Sequence, residues 1–300
     1  MTKVKSKANI VAIVTATVLI VYAILMFIPI FWTLMTTFKQ PNEYTFYENV
    51  LGFPKQGFTL SNYITAYRNF FVQVQLFDSR GVPYFAEFYI LDQFGNSLLY
   101  SVGCGITATL TALVMGYAVA RFNYKFSKII YTFVLVTIAL PIVGSLPSEI
   151  AVSNGLGLFD TFPGIWIMRA SFLNTYFLIF YAQFKSIPFD YTEAAKIDGA
   201  SPFTVMVKII VPLAMNTAMA IFVLNFIAFW NDYQIPMVYL PSHPVAAYGM
   251  YKFEYDPVEA TDNIPTTLAG IFLMAMPIIV FYAVFNSKLN VNMSVGGIKG

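Results

Sequence analysis

Residues 8–38 run for 31 positions without a charged side chain, and a run of that length leaves few folds open. A helix needs about 20 apolar residues to cross the hydrocarbon core of a bilayer, because every buried amide must be satisfied within the segment. The basic start, Lys3, Lys5 and Lys7, is how a secretory leader begins. Leader cores, however, are only ~7–15 apolar residues and end at small residues, whereas this run ends in Trp32, Met35 and Phe38. It is therefore expected to be an uncleaved first span. Five further stretches qualify: 96–120, 129–147, 163–184, 213–240 and 264–287. With 58% hydrophobic and 11% charged residues, the chain has about half the ~25% charge of soluble domains. The expected fold class is all-α, a polytopic membrane protein with six transmembrane helices.

Six crossings put both termini on one side, and the basic residues say which, since Lys and Arg concentrate in cytoplasmic loops. Eleven of the 17 fall on the side of the termini: Lys3, Lys5, Lys7, Arg121, Lys125, Lys128, Lys185, Lys196, Lys208, Lys288 and Lys299. The other side holds 12 of the 15 acids. Both termini are expected to be cytoplasmic. Residues 1–300 then form one transmembrane domain: an extracytoplasmic region at 39–95, a five-span core at 96–287 and a cytoplasmic tail at 288–300. A net charge of +2 gives no basis for a nucleic-acid partner. The one cysteine, Cys104, lies between two glycines in an apolar run and reads as packing. The one histidine, His243, cannot build a histidine metal site, and none is expected.

The most informative segment is the loop at 186–212, SIPFDYTEAAKIDGASPFTVMVKIIVP in full. Pro188 suits a first helical turn, 192–198 is helix-compatible, and Gly199 is placed to end the helix in a left-handed conformation. Ser201 and Pro202 then form a cap and a first-turn proline, opening a second helix that should run to about Ile210 before Pro212. The result is a helix-turn-helix at the membrane surface, with Ala194 and Ala195 as a small-residue face beside Glu193 and Asp198. An amphipathic loop lying in the interface accounts for the same residues.

The spacing of Glu193, Ala194, Ala195, Gly199, Ile209 and Pro212 resembles the EAA motif of ABC importer permeases: EAA, three residues, G, nine residues, I, two residues, P. EAAKIDGASPF is similar to the carbohydrate-uptake branch, the permease type of the maltose transporter's G component. Further likenesses are GYAVARF at 116–122, LGLFDTFPG at 156–164, FIAFWNDYQIPMVYL at 226–240 and GGIKG at 296–300. Residues 71–93 look like an insertion relative to typical members.

The resemblance implies a type I ABC importer permease fold and a transport subunit rather than an enzyme, in the plasma membrane of a prokaryote. It implies a second homologous permease, two ATP-binding subunits, an extracytoplasmic solute-binding protein, a sugar substrate and surrounding lipid. Glu193 would contact the ATPase, Ala194 and Ala195 would pack closely on it with Asp198 nearby, Gly199 would form the turn, and Pro212 would mark the hinge into the fifth span. The tail residues Gly296, Gly297 and Lys299 would reach the ATPase dimer, and the loop at 242–262 would contact the binding protein. The chain has no GxxxxGK[ST] phosphate loop, so no cofactor is expected in it, ATP and magnesium belonging to the partner subunits.

For a substrate path, polar groups within a span usually face protein or water. Asn225, Trp230, Asn231, Asp232 and Tyr233 are the candidates, since aromatic faces with amides and a carboxylate suit sugar rings. An interfacial aromatic belt with Asp232 at the water boundary fits Trp230 and Tyr233 equally. Glu149 and Arg169, near the external ends of the third and fourth spans, fit a gate or simple interfacial charges. An ion-coupled secondary transporter would need intramembrane carboxylates or histidines, and the spans offer almost none. A membrane-embedded enzyme would need a nucleophile paired with histidine, and no span has one.

Overall fold

Helix α1, Thr2–Thr36, is apolar on every side, and its residues from Ile10 to Phe31 are exposed within the chain. That is the pattern of a helix solvated by lipid or by another membrane subunit rather than by its own core. The computed structural model describes residues 2–45, 49–122, 124–140, 144–256 and 263–289. The chain packs as two units, one comprising the chain up to Phe70 with Lys252–Ala275, the other Phe71–Tyr251 and the chain from Met276 on.

In the first unit, α1 is followed by α2, Pro41–Thr45, and α3, Ser61–Asn69. The segment between them is held by a buried polar knot. The Lys39 ammonium is fully buried and donates to the carbonyls of Asn49 and Val50 at 2.7 and 2.8 Å. Glu43, 1% exposed, accepts from the Lys55 amide at 2.6 Å, the Gln56 amide at 3.1 Å and the Asn49 side chain. Asn62 donates to the carbonyls of Thr37 and Lys39, both at 2.7 Å, and accepts from the Thr266 hydroxyl at 3.2 Å. The partners here are side chains and backbone amides and carbonyls outside regular helix or strand, which is how irregular backbone can be buried.

Burial opposes ionisation of Glu43, but the two amides, Asn49 and the nearby Lys39 ammonium outweigh it and hold the carboxyl below its usual range. The stability this contributes is complete above the ordinary carboxylate pKa and is lost as pH falls through the depressed folded value. Glu43→Gln is expected to lower the melting temperature at neutral pH and to flatten the acid limb of a plot of melting temperature against pH. An unchanged limb would show that another carboxylate governs acid unfolding.

The second unit opens with an antiparallel hairpin, β1 Phe71–Phe77 and β2 Pro83–Tyr89, in register from Phe71 opposite Tyr89 to Phe77 opposite Pro83. Here the all-helical expectation is corrected. FVQVQLF alternates apolar and amide residues and PYFAEFY is rich in aromatics, both β-favouring. Asp78 turns the chain by accepting the amides of Arg80 and Val82, each at 2.8 Å. The hairpin runs straight into α4, Ile90–Arg121, where Asp92 accepts the Tyr89 amide at 3.1 Å.

The elements after α4 are α5 Lys125–Ala139, α6 Leu146–Gly155, α7 Phe162–Arg169, α8 Thr175–Ser186, α9 Asp190–Ile197 and α10 Pro202–Val205. A π-helical turn, Met206–Ile210, then leads to α11 Val211–Leu213, α12 Met215–Trp230, α13 Gln234–Tyr239, α14 Ala246–Tyr255 and α15 Ile264–Leu289. Helix α4 is the axis of the second unit and packs against α12, α8 and α7.

Among the described residues, three segments are long and apolar enough to cross a membrane as single helices, Ile10–Thr36, Ile90–Arg121 and Ile264–Val284. They match three of the expected spans. The other three are divided. In the stretch 129–147, α5 ends at Ala139, where Leu140, preceding Pro141, turns to extended backbone at φ −104°, ψ 117°, as the residue before a proline tends to, and α6 begins at Leu146. The stretch 163–184 breaks between α7 and α8, where Asn174 caps α8 by accepting the amides of Tyr176 and Phe177. The stretch 213–240 breaks after Trp230, where Asp232 accepts the Ile235 amide at 3.2 Å. Its start is also bent, by 74° between Pro202–Leu213 and Met215–Trp230. Two expected loops contain helices, α6 and α14.

Candidate functional site

The loop at 186–212 forms the expected helical hairpin. Helix α9 closes in a Schellman motif, the Ala200 amide donating to the Ala195 carbonyl at 2.9 Å and the Gly199 amide to that of Lys196 at 3.0 Å. Gly199 sits at φ +79°, the left-handed region a side chain resists by ~1–2 kcal/mol. Ser201 caps α10, its hydroxyl accepting the Thr204 amide at 3.2 Å. The second helix does not run regularly to Ile210. Pro212 lacks an N–H and its ring crowds the carbonyl four residues back, and the chain widens into the π-helical turn ahead of it, with the Val211 amide reaching the Met206 carbonyl. Pro212 itself lies inside α11.

Ala195 is 7% exposed and belongs to the interior, so the face expected from both alanines rests on Ala194 alone. At about 100° per residue, the side of α9 opposite Ala195 carries Asp190, Glu193 and Ile197. Ile197 is 86% exposed, and Phe203, on α10, is 70% exposed. Neither was picked out by the motif. Ile197 therefore stands on the same exposed face of α9 as Glu193.

Inward, Ala195, Val205 and Ile210 join one continuous core with Leu113 and Tyr117 of α4, Phe180 and Phe184 of α8, Ala214 at the cap of α12, and Ala218 and Ile221 within α12. Tyr117 and Phe184 meet edge to face at 5.6 Å. The Thr217 hydroxyl donates to the Gln183 side chain, tying α12 to α8. The hairpin is thus packed into three long elements and cannot be displaced without moving them, since close-packed interiors transmit displacement.

Toward the other end of α4, about 25 Å away at 1.5 Å per residue from Tyr117 to Tyr100, lies a set of polar contacts. The Tyr100 hydroxyl donates to Asp232 at 2.9 Å. Asn225 donates to the Thr109 hydroxyl at 3.0 Å and is buried. Trp230 is 1% exposed, packed between Phe94 and Phe226, with its indole N–H unpaired. In this conformation it forms neither a belt nor an open sugar platform. Asn231 is exposed and donates to the Ile227 carbonyl at 2.8 Å, and Tyr233 stacks on Tyr251 at 4.8 Å.

Nearby, the Tyr239 hydroxyl donates to Glu149 at 3.0 Å, and the Arg169 guanidinium lies 6.0 Å over the Tyr239 ring. Asp160, at φ +57°, accepts the Ser242 amide at 3.1 Å, contacts His243 at 3.3 Å and donates its own amide to Tyr239. Glu149 and Arg169 are therefore linked through Tyr239. Residues 156–164, singled out by resemblance, are pinned to 239–243. The structure brings Asn225, Trp230 and Asp232 onto α4. The partners Tyr100, Thr109 and Tyr239 were missed. The polar residues Ser97, Tyr100, Ser101 and Cys104 fall on one side of α4, a helical spacing that could have pointed to Tyr100. Among the described residues, no cluster of His, Cys, Asp or Glu is arranged to hold a metal. Gly296, Gly297 and Lys299 lie outside the described residues, as do 257–262 of the loop at 242–262.

A family profile described as "binding-protein-dependent transport system inner membrane component" matches residues 108–290. The trehalose transport system permease protein SugB of Mycobacterium tuberculosis is 32% identical over 224 residues, covering 70% of this chain and 78% of that protein. The diacetylchitobiose uptake system permease protein NgcG of Streptomyces coelicolor is 24% identical over 291 residues, 95% and 88% of the two chains. The crystal structure of a bacterial ABC transporter involved in import of the acidic polysaccharide alginate aligns at a TM-score of 0.73 over 93% of this chain and 96% of that one. At 22% identity that likeness is one of fold.

Proposed function

Because the chain belongs to the family of binding-protein-dependent transport system inner membrane components, we propose that it is the permease subunit of an ATP-driven importer for an oligosaccharide or related sugar. It crosses the plasma membrane of a prokaryote six times, the divided segments each completing a crossing, with both termini cytoplasmic. A second permease of the same family supplies the other half of the pathway. Two ATPase subunits bind and hydrolyse ATP with magnesium, and an extracytoplasmic binding protein delivers the solute. Sugars are the substrate class because the relatives are named for trehalose and diacetylchitobiose.

The observation that carries this reading is the continuous core joining the hairpin to α4, α8 and α12. Closure of the ATPase dimer pushes on the exposed face of α9, and the close-packed core passes the displacement along α4 to the polar contacts near Asp232. A lone exposed ion pair at Glu193 contributes only ~0–1 kcal/mol, so packing at Ala194, Ile197 and Phe203 carries most of the coupling. The tail at 296–300 adds a second contact to the ATPase.

The test is ATPase activity of the purified complex, with its neighbouring permease and ATPase, against a glycan panel presented by the cognate binding protein. Activity is expected to rise with one solute class, to lose that stimulation in Gly199→Pro and to lose only part of it in Glu193→Ala. A chain that binds no ATPase, with variants that change nothing, would overturn the reading.

A further inference from the structure

At the end of α4 that leads into α5, Arg121 has all three guanidinium nitrogens buried and without a hydrogen-bond partner. Its guanidinium lies 4.7 Å over the Phe189 ring. That ring attracts the cation but cannot accept the fork of N–H bonds lying in the guanidinium plane. A guanidinium does not shed its proton to escape burial, so the arrangement calls for an anion.

Beside Arg121 is a cavity of about 590 Å³ whose lining residues include Lys128 and Lys185 but no carboxylate. Hydroxyls of Ser127, Thr132 and two tyrosines add hydrogen-bonding capacity. Tyr131 and Tyr181 pack at 4.7 Å, and Lys185 is held toward them, donating to the Tyr181 hydroxyl at 3.0 Å. Three cations, several hydroxyls and no acid make a phosphate-binding composition, with Arg121 offering the two-pronged geometry that phosphate oxygens match. The lining also includes Phe122 and Phe189, which are 37% and 50% exposed and give the cavity an apolar rim. An acyl chain would lie along that apolar rim, and free phosphate would leave it uncovered.

We propose that this cavity binds the phosphodiester head group of an anionic phospholipid, with Arg121 gripping the phosphate and Lys128 and Lys185 supplying further positive charge. The inference rests on the function proposed above only in placing this end of α4 at the cytoplasmic leaflet. The bound lipid would brace α4, α5 and the start of α9 through Phe189.

The test is native mass spectrometry of the whole complex released from bilayers of phosphatidylglycerol and phosphatidylcholine, counting retained lipids. Phosphatidylglycerol is expected to be retained at least tenfold over phosphatidylcholine, and Arg121→Gln to cut that retention about tenfold with the complex still assembled. Millimolar inorganic phosphate is expected not to displace it. If Arg121→Gln does not fold, the double variant of the exposed Lys128 and Lys185, each to Gln, is expected to lower retention in the same direction. Equal retention of both lipids, or no effect of the variants, overturns the proposal. So does displacement by free phosphate. Loss of the ATPase subunit in Arg121→Gln with an unchanged lipid count overturns it too, and assigns the guanidinium to a partner carboxylate. Lipid counts need no transport activity, so the sugar-import reading can fail while this one stands.

Discussion

A complex carrying Ile197→Asp is expected to reach the membrane with its stability unchanged and to lose most of its affinity for the ATPase subunit. Ile197 is 86% exposed, so the substitution removes no interior contact, and exposed substitutions of this kind usually fall within ±0.5 kcal/mol. At an interface the balance reverses. An aliphatic anchor at the centre of a docking face costs ~2 kcal/mol or more when removed, and a buried unpaired carboxylate adds to that. About 2 kcal/mol is roughly a thirtyfold change in dissociation constant. Glu193→Ala, on the same face, is expected to cost less, because its gain is mainly that of one solvated charge pair. The measurement is a titration of purified ATPase onto the reconstituted permease pair, with the melting temperature recorded in parallel. Unchanged affinity with Ile197→Asp would remove α9 as the docking element. A fall in melting temperature matching the loss of affinity would make the effect one of folding.

The contrast between Ile197 and Ala195 shows what kind of information the sequence carried. The hairpin was legible because its determinants are local: Gly199 at a left-handed position, Ser201 as a cap, Pro202 in the first turn. Which face of it points outward was not, because that depends on Phe184, Val205 and Ile210 closing over Ala195. The same division holds in the spans. Uninterrupted helices were found by hydropathy alone. The divided ones were not, because apolar residues continue across each break while a few polar or proline residues redirect the backbone. Leu140 before Pro141, Asn174 as a cap and Asp232 as an acceptor are local signals, and averaging over a window hides them. The hairpin at 71–89 had its signature in FVQVQLF, but that alternation was masked by the aromatic content around it. The bond from Tyr100 to Asp232 joins residues 132 positions apart, and no local pattern announces a contact of that kind.

Gly116 supports the second large effect. A Cβ at this position would stand 2.7 Å from the Phe180 Cβ and 3.1 Å from the Tyr181 amide nitrogen, so the obstacle includes α8 backbone and not only a movable side chain. Alanine gains up to ~1 kcal/mol of helix propensity over glycine, which partly offsets the clash. Valine gains little and adds two methyl groups, and overpacking of this sort costs ~1–3 kcal/mol. Gly116→Val is therefore expected to force α4 and α8 apart where Tyr117 meets Phe184 and where the hairpin is seated. The melting temperature of the complex should fall, and nucleotide-driven ATPase should persist while its stimulation by the loaded binding protein is lost. Gly105 offers a control, since a Cβ there would approach the Phe222 ring at 3.2 Å and backbone only at 3.6 Å. Gly105→Ala should cost less in melting temperature and leave stimulation intact. If both glycine variants lose stimulation equally, coupling does not depend on the α4–α8 seat. If Gly116→Val keeps full stimulation despite a lower melting temperature, the shared core stabilises the permease without transmitting motion, and the link from ATPase to the polar contacts near Asp232 must run through α12 alone.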